Sequence, residues 1–146
     1  MKIKIGIGID NIIFGMFQED VKAIWGNPDR VSLTEKDSGI VYSYNDRMVK
    51  LKFDEEEELK LYTIETFNPD TIMFNQKIIG KKKDEIRSIL KDNRYKEPKY
   101  EEYDFFETLF CEEVRSTFEF EFDKLRSIEF SPLFNNDDEL IWPKKI

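Results

Sequence analysis

No histidine occurs in the 146 residues of this chain, and cysteine occurs once, at Cys111. The missing imidazole removes His-based general bases, catalytic triads and imidazole metal sites together. A lone cysteine forms no intrachain disulfide and builds no structural zinc site. Cys111 ends the apolar run FETLFC, so the expectation is a buried, inert thiol without a base to activate it. Glycine and proline are also scarce, at six and five residues, which leaves little material for a disordered linker. No run approaches the roughly 18 apolar residues of a membrane span. The opening MKIKIGIGIDN has neither the long apolar core of a signal peptide nor a lipid-anchor cysteine, and the expected location is the cytoplasm.

Basic residues are outnumbered. Lys and Arg total 23 against 31 Asp and Glu, a formal net charge of −8. Phosphate neutralisation needs clustered cations, so nucleic acid is not the expected partner, nor is an anionic membrane. An acidic surface attracts basic partners instead. What the chain has in quantity is aromatic residues, with thirteen Phe and six Tyr. These suit half-buried sheets, and 146 residues fit one compact domain or two small halves sharing a core.

The sequence also repeats itself. Gly15, Val21 and Ile24 answer Gly80, Ile86 and Ile89 at an offset of 65, and Leu61, Ile64 and Glu65 answer Leu125, Ile128 and Glu129 at an offset of 64. A repeat of this length fixes architecture before single residues are interpreted. It predicts an α+β protein built from two tandem helix-plus-antiparallel-sheet units, residues 1–70 and 71–146 with a C-terminal tail, forming one compact body.

Local patterns fill in the units. Ile3, Ile5, Ile7 and Ile9 alternate with Lys and Gly, which predicts an opening strand. Val21, Ile24 and Trp25 form a helical stripe after Glu19 and Asp20, and Gly26 and Pro28 supply a stop. Strands are expected at 40–44, 48–53 and 59–67, with the acidic run Asp54 to Glu58 at a solvated hairpin end. In the second unit, Ile86, Ile89 and Leu90 predict a helix, 94–102 a charged loop, and 103–111, 114–122 and 125–130 strands. Leu140, Ile141 and Trp142 are expected to tuck back onto the body.

The segment FGMFQEDVKAIWGNP resembles a short signature of proteins with the β-lactamase-inhibitor-protein-like fold and of similar small outer-membrane-assembly lipoproteins. Gly15, Met16, Val21, Gly26 and Pro28 fit it. Gly80 and Ile86 echo it, while Phe17 and Lys82 stand where the pattern has a Ser or Thr cap. The resemblance implies a tandem helix-and-sheet duplication that recognises proteins through its open sheet face. Small acidic proteins of this type also resemble the immunity proteins of bacterial toxin systems.

Chemistry-bearing motifs are few. The run Asp54 to Glu58 lacks the alternation and glycine of a calcium loop, and GKKKDE at 80–85 lacks a phosphate-loop pattern. The chain is therefore not expected to be an enzyme, and no cofactor, metal ligand or catalytic residue is assigned. Strand alternation says more. Val49, Leu51 and Phe53 share a core face while Lys50 and Lys52 point away. Phe118, Phe120 and Phe122 share a core face while Glu119 and Glu121 point away, with Tyr62, Glu65 and Glu129 flanking the outer positions. The expected partner-binding surface is Lys50, Lys52, Tyr62, Glu65, Glu119, Glu121 and Glu129. The expected function is cytosolic protein binding, specifically an immunity protein that occludes the active site of a basic toxin domain. The alternative is a structural or regulatory interaction domain without a toxin partner.

Overall fold

A computed structural model of the chain describes residues 1–36 and 38–144. Its centre is one eight-stranded antiparallel sheet, with two helices on one face, which makes it an α+β protein. Helix α1 (Gln18–Trp25) precedes the meander β4 (Arg30–Leu33), β5 (Gly39–Tyr44), β6 (Val49–Asp54) and β7 (Lys60–Thr66). Helix α2 (Lys83–Asp92) precedes β10 (Lys99–Glu102), β11 (Glu107–Cys111), β12 (Ser116–Glu121) and β13 (Lys124–Phe130). The spatial order is β10-β11-β12-β13-β7-β6-β5-β4, so the last strands of the two meanders meet at the centre. There Ile128, Glu129 and Phe130 stand opposite Thr66, Glu65 and Ile64.

Short elements close one end. β1 (Ile3–Lys4), β2 (Gly8–Ile9) and β3 (Ile12–Ile13) form a three-stranded sheet, and β8 (Ile72–Met73) pairs with β9 (Gln76–Lys77). The expected single opening strand is thus corrected to two strands folded back on each other, Ile3 opposite Ile9. The Ile7 N–H donates to the Lys4 carbonyl at 2.9 Å, a turn that breaks the alternation and leaves Ile7 exposed.

Alternation places one apolar face of the sheet against the helices. Leu51, Phe53, Leu61, Ile64, Phe118, Phe120, Ile128 and Phe130 join Val21, Ile86 and Leu90 in a single buried cluster. Ile24 is an exception to its expected place on the buried stripe of α1. It is 42% exposed, because an eight-residue helix turns only Val21 fully into the core. Neither helix has a hydroxyl cap, yet each uses a carboxylate three residues on. The Phe17 N–H donates to Asp20 Oδ2 at 2.9 Å and the Lys82 N–H to Glu85 Oε1 at 3.2 Å. The Gly26 N–H closes α1 by donating to the Lys22 carbonyl at 2.9 Å.

Both helix approaches are tied to the central strands by paired backbone hydrogen bonds. Gly15 donates to Leu61 and Leu61 donates to Met16, at 2.9 and 2.8 Å. Gly80 donates to Leu125 and Leu125 donates to Lys81, both at 2.8 Å. The two glycines hold φ of 93° and 94°, where an L side chain is strained. A Cβ at Gly80 would meet nothing within 4 Å, whereas one at Gly15 would lie 3.2 Å from the Trp142 ring. Gly80→Ala is therefore expected to cost about 1–2 kcal/mol from backbone strain alone. Gly15→Ala should cost more, and chemical denaturation in a Trp142→Ala background should bring the two losses together.

Two edge strands stand where no strand is expected. β4 and β10 lie at the outer borders of the sheet, and β10, in particular, is exposed along its length. A strand without a buried face has no alternation to read, which is why 94–102 has the pattern of a charged loop. The acidic run does cap a hairpin, as a 3-10 turn at Glu55–Glu57 between β6 and β7. In the tail, Trp142 packs against the core and Ile141 stays about half exposed.

Candidate functional site

The helices cover one face of the sheet, and side chains of opposite alternation form the other. On β6, Lys50 and Lys52 point there, opposite Glu65 and Thr63 of β7. The antiparallel pairing of β7 with β13 then sets Glu65 directly across from Glu129. Two carboxylates in opposing register repel, and Lys52 offsets them. Its Nζ lies 3.3 Å from Glu129 Oε2 and 3.8 Å from Glu65 Oε1. Glu65 is the most enclosed member, with a side chain only 17% exposed. Burial holds its carboxyl above the usual range; Lys52 and Lys50 oppose this, and Glu129 and Glu119 add to it.

A β-bulge sits on each side of this centre. In β7, Tyr62 is the extra residue between the Lys52–Thr63 and Phe53–Leu61 pairs. In β13, Arg126 is extra between the Glu119–Ser127 and Phe120–Leu125 pairs. A bulge re-aims its side chain. Arg126 reaches Glu119 Oε2 at 3.8 Å and bonds closely to Glu121. The Ser127 hydroxyl donates to Glu119 Oε2 at 3.4 Å. Phe67 links the halves, with Lys50 Nζ 5.5 Å and the Arg126 guanidinium 5.6 Å from its ring centre.

Of the seven residues expected to bind a partner, Lys50, Lys52, Glu65, Glu119 and Glu129 come together around the central strand pair. Glu121 joins through Arg126 but lies at the sheet end. Tyr62 belongs to a separate cluster, where its hydroxyl accepts from the Arg115 guanidinium at 3.4 Å and its ring meets Trp142 at 6.4 Å. Lys and carboxylates are interleaved and paired across the centre, Lys52 with Glu65 and Glu129, Arg126 with Glu119 and Glu121. Sequence alternation did not reach Arg126, Ser127 or Phe67. The extra residue in each bulge, against the ladder on its partner strand, is the signal that brings Arg126 to the face.

A shallow groove of about 620 Å³ runs from this face to the edge loop, lined by Lys50, Lys52, Glu65, Glu129, Val41 and Glu35 among others. Its chemistry is multivalent charge pairing and hydrogen bonding from rigid strands. Among the described residues no group of three or more His, Cys, Asp or Glu side chains could hold a metal ion. Cys111 is buried, and burial pushes its thiol up, which disfavours the thiolate. Phe122 differs from its expected core position: it lies in the turn after β12 and is almost fully exposed.

No family model matches the chain, and no curated protein matches it. Solved structures with a similar fold exist. A DUF4309 family protein, YjgB, from Bacillus subtilis superposes with a TM-score of 0.53 at 14% identity, covering 87% of this chain and 88% of that one. An extracellular protein containing an SCP domain, from Bacillus anthracis, superposes with a TM-score of 0.50 at 17% identity over 81% of this chain. This chain spans only 43% of that protein's length. Both likenesses concern the fold. No helix among the described residues is long and apolar enough to cross a membrane.

Proposed function

We propose that this chain is a protein-binding module, and specifically a cytosolic immunity protein that occludes the active site of a basic bacterial toxin domain. The observation that carries the reading is the uncovered sheet face, where Lys52 pairs with Glu65 and Glu129, Arg126 and Ser127 hold Glu119, and Lys50 lies over the Phe67 ring. Side chains fixed before contact lose little freedom on binding. Net charge of −8 favours encounter with a basic partner. The buried, unpaired Cys111 suits a reducing compartment.

The architecture is read as a tandem duplication of the β-lactamase-inhibitor-protein-like type. Support comes from the matched Gly15–Leu61–Met16 and Gly80–Leu125–Lys81 hydrogen bonds and from bulges at Tyr62 and Arg126, 64 residues apart. Opposed pairing of Glu65 with Glu129 fits a local two-fold between the units.

Co-expression with the product of the adjacent upstream gene tests the function. Rescue of growth together with a stable complex is expected, and Lys50→Glu with Glu119→Lys should weaken that complex at least tenfold. Absence of both toxicity and complex would sink the immunity reading.

A further inference from the structure

At one end of the sheet, two hairpin tips carry exposed phenylalanines. Glu121 and Lys124 are paired, so Phe122 and Asp123 alone make the β12–β13 turn. Both have left-handed backbones, with φ of 50° and 57°. A two-residue turn of this kind favours Asn-Gly or Asp-Gly, and a bulky residue there is strained. Phe122 is nevertheless 97% exposed, so neither turn geometry nor core packing accounts for an aromatic at this position. The neighbouring β10–β11 tip holds Phe105, 88% exposed. That loop is braced beneath it: Tyr103 stacks on Phe106 with ring centres 4.6 Å apart, and the Tyr103 N–H donates to the Phe106 carbonyl at 2.9 Å.

The two tips line one cleft of about 460 Å³. Five carboxylates line it, those of Glu102, Asp104, Glu107, Glu121 and Asp123. Lys83 pairs with Glu107 and Arg126 with Glu121, so the excess negative charge comes from Glu102, Asp104 and Asp123. Aromatic walls inside an acidic rim attract cations that carry apolar stems, through ring faces and charge together. An anionic lipid surface would be repelled. A second copy in a two-fold contact would set the same carboxylates against each other.

We propose that this cleft binds a basic, apolar segment of a partner protein, with Phe105 and Phe122 as its anchors. The proposal rests on the protein-binding reading above and adds a second contact site, away from the charged face at the sheet centre. Strain at Phe122 is retained because the side chain acts outside the fold.

The probe is a phage-displayed library of random 12-residue peptides, panned in parallel on the intact wild-type chain, a Phe105→Ser/Phe122→Asn variant and a Lys50→Glu variant. The wild type should enrich peptides that combine Lys or Arg with Leu, Ile or an aromatic residue. A synthetic peptide from that set should bind at least tenfold more weakly to the double variant and unchanged to Lys50→Glu. The double variant should remain folded, and Phe122→Asn alone should raise the melting temperature, because Asn suits the turn. No enrichment, or enrichment that survives loss of both phenylalanines, overturns the cleft. Peptides lost only in Lys50→Glu would also overturn it while leaving the protein-binding reading intact through the charged face. Binding to phosphatidylcholine vesicles or self-association, either one abolished in the double variant, would assign the tips to another occupant and reject the proposal.

Discussion

Replacing Phe130 with alanine is expected to lower the unfolding free energy by about 3–5 kcal/mol and the melting temperature by about 10 °C or more. Phe130 is 1% exposed and meets the Phe14 ring edge-on, with centroids 5.6 Å apart. Its neighbour across the ladder is Ile64, fully buried in the other meander. The ring therefore fills the core where the two halves of the sheet join. A cavity there cannot collapse easily, because β7 and β13 fix the backbone on both sides. The loss should appear as a single urea transition with an unchanged m-value, since both halves share one cluster. Two separated transitions would show that the halves unfold independently, and a loss below about 1 kcal/mol would mean that the junction is loosely packed.

Much of this architecture was legible in the chain, for a physical reason. In β6 and β12, period-2 patterning separates Leu51 and Phe118 from Lys50 and Glu119, and the burial follows it residue by residue. Gly26 ends α1 where a glycine followed by proline predicts a stop. The illegible parts obey other physics. β10, KYEE, is exposed at every residue and is held by backbone pairing to β11, which leaves no side-chain signature. Phe122 continues an alternation that the turn interrupts, because the Glu121–Lys124 pair closes the hairpin one residue early. The candidate site depended on a non-local fact. Glu65 and Glu129 are each outward by alternation, but only the pairing of β7 with β13 makes them neighbours. Bulges at Tyr62 and Arg126 then decide which side chains reach that face, and a bulge depends on both strands of a ladder.

Reversing the charge at Lys52 should have the second-largest effect. Lys52→Glu is expected to cost about 2–3 kcal/mol at pH 7, less than a fully buried pair because Lys52 and Glu129 reach solvent. Among the described residues Lys52 is the cation that pairs with both Glu65 and Glu129, at 3.8 and 3.3 Å. A glutamate there removes both attractions and adds a further carboxylate beside Glu65 and Glu129. The pH dependence follows from Glu65, whose folded pKa burial already raises. The folded state then holds a proton that the unfolded chain has released, so stability falls as pH rises. The penalty is absent below about pH 4, where Glu65 is protonated in both states, and complete once pH exceeds the raised folded value. Lys52→Glu pushes that value higher, which deepens the penalty and extends its window upward. The difference between variant and wild type should therefore shrink as pH falls from 7.5 towards 4.5, opposite in sign to the usual loss of carboxylate ion pairs in acid. Urea titrations at both pH values measure it. Equal losses at the two would mean that Lys52 acts by packing its methylene stem on the sheet, with no part in setting the charge of Glu65.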